Sequence, residues 1–273
     1  MTSTSETRAY ARVIGDRLDG SPLCVMLDVD GTLAPIAPTP ERATVPPETR
    51  EVVARLVRAP ATIVVLVSGR AAGDAWKVAN VAGVWVIGNH GFEIRDPGGR
   101  VIADERVRGF DDAMARAAAT LERELNAVPG AIVENKRWTL SVHYRMVPAT
   151  QVHRLKARAE DVARALELRV LDGKKIVELR PPLDIDKGTA CVAFLERHGV
   201  TRDRGSVLYI GDDRTDEDAF RELRAVLPDT VTIRVASAED ATEVTSEAEL
   251  VLSSLQEVRE LLSWVADRRT SVR

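Results

Sequence analysis

Two aspartates follow a short apolar segment near the start of the chain, in the sequence Asp28-Val29-Asp30-Gly31-Thr32-Leu33. Because strand side chains repeat every second residue, carboxylates at i and i+2 leave a strand in similar directions. Their repulsion is costly unless a cation or a shared proton relieves it. Gly31 permits a tight turn whose backbone N–H groups can point at an anion, and Thr32 adds a hydroxyl. The motif predicts a site for a metal ion and an anion, although the same residues could simply cap a strand.

A second acidic segment, Gly211-Asp212-Asp213-Arg214-Thr215-Asp216-Glu217-Asp218, follows the apolar run Ser206–Ile210 and opens a helical pattern. It holds more carboxylates than helix capping requires. A hard cation such as Mg²⁺ explains them, because it binds carboxylates and water in an octahedral shell. The alternative is a helix start that is merely rich in acids.

Two shorter segments add an anion-binding character. Ser68-Gly69-Arg70 directly follows a second apolar run, so its hydroxyl and amides should lie beside the first motif. Lys187 stands in Asp186-Lys187-Gly188, where a helix is predicted to begin, and its ammonium can neutralise both a carboxylate and a phosphate. Taken alone, the first segment is common in loops, and the second is more often a solvated lysine.

The predicted strands and helices that carry these segments alternate along the chain, as in an α/β fold. Short runs rich in Val, Ile and Leu alternate with helical patterns in the first and last thirds of the chain, which predicts a parallel sheet covered by helices. Near-continuous apolar strands fit burial on both faces. The predicted strands are Leu23–Asp28, Thr62–Val67, Val84–Ile87, Ser206–Ile210 and Val231–Val235. All four chemistry-bearing segments then lie at one end of the sheet or at helix starts.

The middle of the chain does not show this alternation of single strands and helices. Its element order, α-β-β-α-β-β, predicts a compact α+β insert over residues 105–182 between two halves of a core, 21–104 and 183–267. The insert has an excess of basic side chains and the remainder an excess of acidic ones. A basic insert over an acidic core suits an anionic substrate held against a metal, although a solvated surface explains the charge equally well.

Composition narrows the class of protein. The 273 residues carry a formal net charge of −4, which argues against a nucleic-acid binder. No stretch approaches the ~20 apolar residues of a membrane span, and the first twenty residues lack a signal-peptide core. Two distant cysteines, Cys24 and Cys191, fit the reducing cytosol. These features predict a cytoplasmic protein without a nucleic-acid or membrane partner.

Taken together and in this order, the four segments resemble the haloacid-dehalogenase superfamily of phosphohydrolases. The resemblance implies a Rossmann-like, doubly wound parallel-sheet α/β core with an inserted α+β cap. Gly211–Phe220 and Gly88-Asn89-His90-Gly91 are similar to forms found in trehalose-6-phosphate phosphatases. In that family, segments like three in the insert line the sugar side of the cleft; these are Glu134-Asn135-Lys136, Leu140–Arg145 and Val177–Pro181. Val29 departs from the pattern, since many members have an aromatic residue there.

The resemblance also implies a reaction, in which trehalose 6-phosphate is hydrolysed to trehalose and phosphate through an aspartyl-phosphate. Asp28 is the implied nucleophile. Asp30 is the implied acid that protonates the leaving sugar oxygen and then the base that activates water. The implied Mg²⁺ ligands are the Asp28 and Asp212 carboxylates and the Asp30 backbone carbonyl, supported by Asp213 and Asp216 from an outer shell.

The remaining implied contacts divide between phosphate and sugar. The implied phosphate contacts are Thr32, Ser68, Gly69 and Lys187. The implied sugar contacts are Arg70, His90, Glu134, Lys136, Arg145 and Glu178. From the residues alone, His90 could instead satisfy a tight turn, and Glu134 with Lys136 could be a surface ion pair. Three other functions stay open: a phosphatase for another glycosyl phosphate (sucrose 6-phosphate, glucosylglycerol phosphate or glycosylglycerate phosphate), a non-catalytic sugar-phosphate sensor, and a phosphotransferase.

Overall fold

The computed structural model describes residues 13–173, 175–236 and 246–271. In chain order its helices are α1 (Pro47–Arg58), α2 (Ala72–Ala79), α3 (Asp111–Leu125), α4 (Ala149–Ala165), α5 (Lys187–Arg197), α6 (Arg214–Val226) and α7 (Leu255–Ser271). Its strands are β1 (Leu23–Leu27), β2 (Thr62–Val67), β3 (Trp85–Gly88), β4 (Glu93–Arg95), β5 (Val101–Ala103), β6 (Ile132–Asn135), β7 (Leu140–His143), β8 (Arg169–Gly173), β9 (Ile176–Arg180), β10 (Ser206–Gly211), β11 (Val231–Val235) and β12 (Leu250–Leu252). Across these described ranges, no helix combines the length and the apolar character that crossing a membrane would need.

The chain divides into two compact units. One combines the described residues up to Ile102 with those from Ile185 onward, and the other is Ala103–Asp184. The first unit contains the larger sheet, in the order β12-β11-β10-β1-β2-β3-β4-β5. The strands from β12 to β3 pair in parallel, and β4 joins β3 antiparallel.

Helices cover both faces of this sheet because its central strands are apolar on both sides. In β1, Leu23, Val25 and Leu27 join a core cluster with residues of α1, α2 and α7. The intervening Cys24 and Met26 join a second cluster with residues of α5 and α6. Because strand side chains alternate between the two faces of the sheet, β1 contributes to the core under both helical layers. This confirms the prediction of a doubly wound α/β core.

The strand order brings the chemistry-bearing segments of the first unit together. β1 lies between β10 and β2, with Leu27 opposite both Ile210 and Leu66. The chain leaves these three parallel strands at the same edge. In open α/β sheets that edge, at the carboxyl ends of the strands, is where ligands bind.

The second unit packs α3 and α4 against one face of an antiparallel sheet, in the order β6-β7-β9-β8. Leu140 and Val142 of β7 belong to this core. The alternate residues of the strand lie on the other face, where Ser141 pairs across the sheet with Glu134 and Glu178. Alternation along the strands thus separates an apolar face from a polar row.

Sequence reasoning located most strands of the first unit but missed β12. β12 is only three residues long, too short to give a periodic signal. The helix α6 begins at Arg214, because the Asp213 side chain caps it by accepting from the Thr215 and Asp216 amides. β4 and β5, on either side of Pro97–Gly99, are neighbours in the sheet.

Candidate active site

A buried lysine stands at the centre of the carboxylates of the first unit. Lys187 is the first residue of α5, and Asp28 directly follows β1. The Lys187 Nζ donates to Asp28 Oδ1 at 2.9 Å and to Asp216 Oδ1 at 2.8 Å, and lies 3.9 Å from Asp213 Oδ1. Lys187 is 2% exposed and Asp28 5%. One ammonium thus joins three segments that are remote in sequence.

The electrostatics of this cluster follow from burial and from opposite charge. Burial raises the pKa of Asp28 well above its usual range, although Lys187 opposes the shift. Burial also raises the pKa of Asp216 to about 7, again against the pull of Lys187. Desolvation would lower the pKa of Lys187, but attraction to Asp213, Asp216 and Asp28 outweighs it and raises that pKa. The lysine therefore stays charged among the carboxylates.

Asp216 is the most heavily bonded carboxylate of the cluster. Its Oδ1 accepts from Lys187 Nζ and from the Tyr209 hydroxyl, both at 2.8 Å. Its Oδ2 accepts from the backbone amides of Asp212 and Asp213, both at 3.1 Å. These four donors hold the Asp216 carboxylate in place and tie it to the backbone that carries Asp212.

The residues present fit a hard divalent cation. Ligand oxygens of Asp28, Asp212 and Asp216 lie within 4.8 Å of one another. Carboxylate oxygens are what Mg²⁺ prefers. Asp216 accepts four hydrogen bonds, and its place in an outer shell behind the ligands Asp28 and Asp212 stays a prediction. The contribution of the Asp30 backbone carbonyl stays a prediction.

Gly31 is required by the close approach of its backbone to this site. Its φ of +85° lies in the left-handed region, and a Cβ built there would lie 2.3 Å from Asp212 Oδ2. A side chain at position 31 would therefore push the Asp212 carboxylate out of place. The glycine of the first motif has a steric reason as well as the conformational one.

Two hydroxyls predicted to contact phosphate are also buried in this unit. Thr32 is fully buried, and its Oγ1 has no hydrogen-bond partner among the described residues. Ser68 follows β2, is 1% exposed, and its Oγ accepts from the Arg70 amide at 3.1 Å. A buried hydroxyl without a protein partner fits a ligand oxygen.

The turn after β3 braces the loop that carries Ser68 and Gly69. The His90 amide donates to the Ser68 carbonyl at 3.1 Å, and the Asn89 amide to the Arg70 carbonyl at 2.7 Å. A Cβ built on Gly69 would lie 2.4 Å from His90 Nε2, so the imidazole packs on that glycine. The structure gives His90 this packing role, and its predicted sugar contact stays a prediction.

Glu93 secures the same turn and was missed by sequence reasoning. It is 8% exposed, and its Oε1 accepts from the Ala72 amide at 2.6 Å and from Asn89 Nδ2 at 3.0 Å. The carboxylate thereby ties the turn to the start of α2. Only its nearness to the Gly88–Gly91 motif could have drawn attention to it.

Arg70 and Asp30 form a two-point ion pair in the first unit. Arg70 Nε lies 2.6 Å from Asp30 Oδ2, and Arg70 Nη2 lies 2.8 Å from Asp30 Oδ1. Asp30 therefore has its own cation and is not part of the cluster around Lys187. The structure thus pairs Asp28 with Lys187 and Asp30 with Arg70, and the metal ion that the sequence motif predicts stays a prediction.

In the second unit, the predicted sugar contacts fall partly together. Glu178 Oε2 accepts from Lys136 Nζ at 3.2 Å and from Ser141 Oγ at 3.1 Å, while its Oε1 is bonded to Arg180 Nε. All four residues are buried. Sequence reasoning left Arg180 out, although its i+2 spacing from Glu178 puts both on one face of β9.

Two other predicted sugar contacts, Glu134 and Arg145, belong to the same unit. Glu134 Oε2 is 2.8 Å from His143 Nε2, one strand away. Arg145 lies in the turn that follows β7 and is partly exposed. Glu134 is also paired across the sheet with Ser141, so it lies in the same polar row as Glu178. The sugar contacts of Glu134 and Arg145 stay predictions.

We expect Gly31→Ala to weaken Mg²⁺ binding, because the new Cβ displaces Asp212. The affinity should fall by about 10- to 100-fold, the usual effect of losing support around a metal ligand. Gly73→Ala is the matched control, since a Cβ there meets nothing within 4 Å. Isothermal titration calorimetry with Mg²⁺ measures both variants, and equal affinities for them would contradict the steric role of Gly31.

Comparison with known proteins adds a family to this geometry. The trehalose-phosphatase family matches residues 26–255 of the chain. A trehalose-phosphate phosphatase of Mycolicibacterium paratuberculosis is 35% identical over 259 residues, which cover 93% of this chain and 64% of that protein. An uncharacterised glycosyl hydrolase of Mycobacterium tuberculosis is 40% identical over 210 residues, 76% of this chain but 16% of that protein. This chain thus spans less than two thirds of these relatives.

A solved structure gives the same fold. The C-terminal domain of the C. albicans trehalose-6-phosphate phosphatase matches with a TM-score of 0.76 at 21% identity, covering 94% of this chain and 96% of that one. At such identity the likeness establishes the fold alone. The sequence match is what decides the family, because it extends across both units and includes every strand-end motif described above. The chain belongs to the trehalose-phosphatase family.

Proposed function

We propose that this chain is a Mg²⁺-dependent phosphomonoester hydrolase that converts trehalose 6-phosphate to trehalose and phosphate. The observation that carries the proposal is the buried contact of Asp28 with Lys187, beside an Asp212 carboxylate close enough to Asp28 for the two to hold one metal ion. The family and the names of its mycobacterial members supply the substrate. Buried free thiols at Cys24 and Cys191 fit the reducing cytosol as its compartment.

The proposed chemistry has two steps. Asp28 attacks the phosphorus, the P–O ester bond breaks, and Asp30 gives a proton to the departing sugar oxygen. Water then attacks the aspartyl-phosphate, Asp30 takes a proton from that water, and phosphate leaves with Asp28 regenerated. Two carboxylates on one turn thus serve as nucleophile and as acid–base.

The surrounding residues stabilise charge on the phosphoryl group. Lys187 is charged and buried beside Asp28, where it would also donate to an oxygen of the phosphoryl group that Asp28 attacks. The Thr32 hydroxyl and the Ser68 loop supply further donors. A Mg²⁺ ion held by Asp28 and Asp212 would neutralise the phosphate and lessen its repulsion of the nucleophile.

We propose that the second unit recognises the sugar. Glu134, Lys136, Glu178 and Arg145 supply acceptors and donors that suit sugar hydroxyls, with His90 of the first unit a further contact. Buried polar groups reject a ligand that leaves them unpaired, which gives such residues discriminating power. The excess of basic side chains in this unit also suits an anionic substrate.

Two alternatives make different predictions. A phosphatase for another glycosyl phosphate would share the chemistry and differ only in the sugar that it accepts. A non-catalytic sensor would bind sugar phosphate without releasing phosphate, although such a protein has no need of the complete set Asp28, Asp30, Lys187 and Asp212.

A substrate panel tests the proposal. We expect phosphate release from trehalose 6-phosphate to exceed that from sucrose 6-phosphate and glucose 6-phosphate, to stop with a chelator and to return with added Mg²⁺. A preference for another ester would reassign the substrate. Binding without turnover of any ester would favour the sensor.

Asp28→Asn tests the nucleophile. An amide is a much weaker nucleophile than a carboxylate, so we expect phosphate release to fall below about a tenth of the wild-type rate. Asp229→Asn, the same change at an exposed position, should keep full activity. Acid-quenched wild-type protein should carry one phosphoryl group by mass spectrometry, and an active Asp28→Asn variant would remove Asp28 from its role.

Glu134→Ala tests recognition by the second unit. Losing a hydrogen bond to a charged group costs about 1.5–3 kcal/mol, so kcat/KM for trehalose 6-phosphate should fall roughly 10- to 100-fold. The loss on p-nitrophenyl phosphate should be much smaller, because that ester has no sugar. Glu160→Ala, exposed in the same unit, is the control. Equal losses on both esters would argue against sugar recognition by Glu134.

A further inference from the structure

An acid–base carboxylate must be held in one orientation, and burial does not do this for Asp30. Its side chain is 34% exposed and lies in the turn after β1, two residues beyond the buried Asp28. A misplacement of about 1 Å in a reacting group can cost roughly 100-fold in rate. Some other contact has to fix this carboxylate.

The guanidinium of Arg70 provides that contact. Its Nε and Nη2 bond the two oxygens of Asp30 at 2.6 and 2.8 Å, and its Nη1 donates to the Pro40 carbonyl at 3.0 Å. The Arg70 side chain is only 13% exposed. A planar fork bonded at three points defines the plane and direction of the carboxylate.

The backbone of Arg70 is fixed in turn by the phosphate-binding loop. Its amide donates to Ser68 Oγ at 3.1 Å, and its carbonyl accepts from the Asn89 amide at 2.7 Å. The same short segment therefore carries a predicted phosphate contact and the fork on Asp30. The positions of the phosphate site and of the acid–base group are mechanically linked.

We propose that Arg70 is a positioning residue for Asp30 and that it does not contact the sugar. This inference rests on the proposed function. A carboxylate has about four lone-pair sites, of which the fork uses one on each oxygen. The remaining site on an oxygen carries the proton that goes to the ester oxygen as the P–O bond breaks. The same oxygen then takes a proton from the attacking water.

The arrangement predicts that lysine cannot replace Arg70. A lysine ammonium keeps the positive charge but is a point charge without a planar fork, so it loses the two-point geometry. Arg70→Lys should therefore impair proton transfer in particular and leave the attraction of the site for phosphate esters largely in place.

The test is a series of phosphate esters without sugar: p-nitrophenyl, phenyl and benzyl phosphate. In this order the departing oxygen becomes more basic, so its departure depends more on protonation. The parameter kcat/KM covers the steps up to departure of the leaving group. For Arg70→Lys it should fall by roughly 10- to 100-fold on benzyl phosphate and progressively less toward p-nitrophenyl phosphate. Asp30→Asn should show the same trend. Arg50→Lys is the control, since Arg50 bonds only loop atoms at Thr44 and Val45 in the contacts seen.

A second readout comes from the later step. Water attack requires Asp30 as a base whatever the leaving group, so Arg70→Lys should lower kcat on p-nitrophenyl phosphate more than kcat/KM. A burst of p-nitrophenolate would then precede the steady state. Circular dichroism checks folding of each variant, and Arg70→Gln, which also lacks the fork, repeats the series if the lysine variant does not fold.

Each other outcome has a defined meaning. Equal losses of kcat/KM on the three sugar-free esters would overturn the proposal in favour of a structural or phosphate-binding role. A loss confined to trehalose 6-phosphate would overturn it in favour of a sugar contact. Wild-type protein that hydrolyses the three sugar-free esters but not trehalose 6-phosphate would refute the proposed substrate. The role of Arg70 would then be decided by how the loss in Arg70→Lys varies with the leaving group. Wild-type protein that hydrolyses no ester would overturn both.

Discussion

The site in the first unit depends on one buried charge contact, that of the Lys187 ammonium with Asp28 and Asp216. Removing a charged group from water costs on the order of several kcal/mol per ion, which only close opposite charges and hydrogen bonds offset. Each of these groups is therefore stable in its place only while the others are present. The contact fixes the end of β1, the start of α5 and the first turn of α6 relative to one another.

Backbone geometry supplies the precision that the charges require. Gly211 lets Asp216 approach closely, since a Cβ there would lie 2.3 Å from the Asp216 carboxyl carbon, and Gly31 does the same for Asp212. Parallel pairing of β1 with β10 sets the distance between the two strand ends. The apolar clusters on both sheet faces hold that pairing in place.

Strand ends and motifs were predictable because their signals are local: apolar runs with a two-residue period, followed by glycine and acids. Pairing between side chains was not. The contact of Arg70 with Asp30 joins residues 40 positions apart, and the Tyr209 hydroxyl reaches Asp216 only because strand and helix pack together. Such partners depend on rotamers and on the packing of remote segments. The sugar contacts named from resemblance are of the same kind, because their neighbours on the sheet decide what each can bind.

The two aspartates of the first motif show how environment separates residues that the sequence makes alike. Asp28 and Asp30 leave the same strand two residues apart. Asp28 is buried against an ammonium, while Asp30 is a third exposed and held in a guanidinium fork. A compact ammonium leaves the other carboxylate oxygen available for attack, whereas a fork fixes both oxygens in one plane. The choice of lysine for one and arginine for the other therefore matches the roles that we propose, a nucleophile that must move toward phosphorus and an acid–base group that must not.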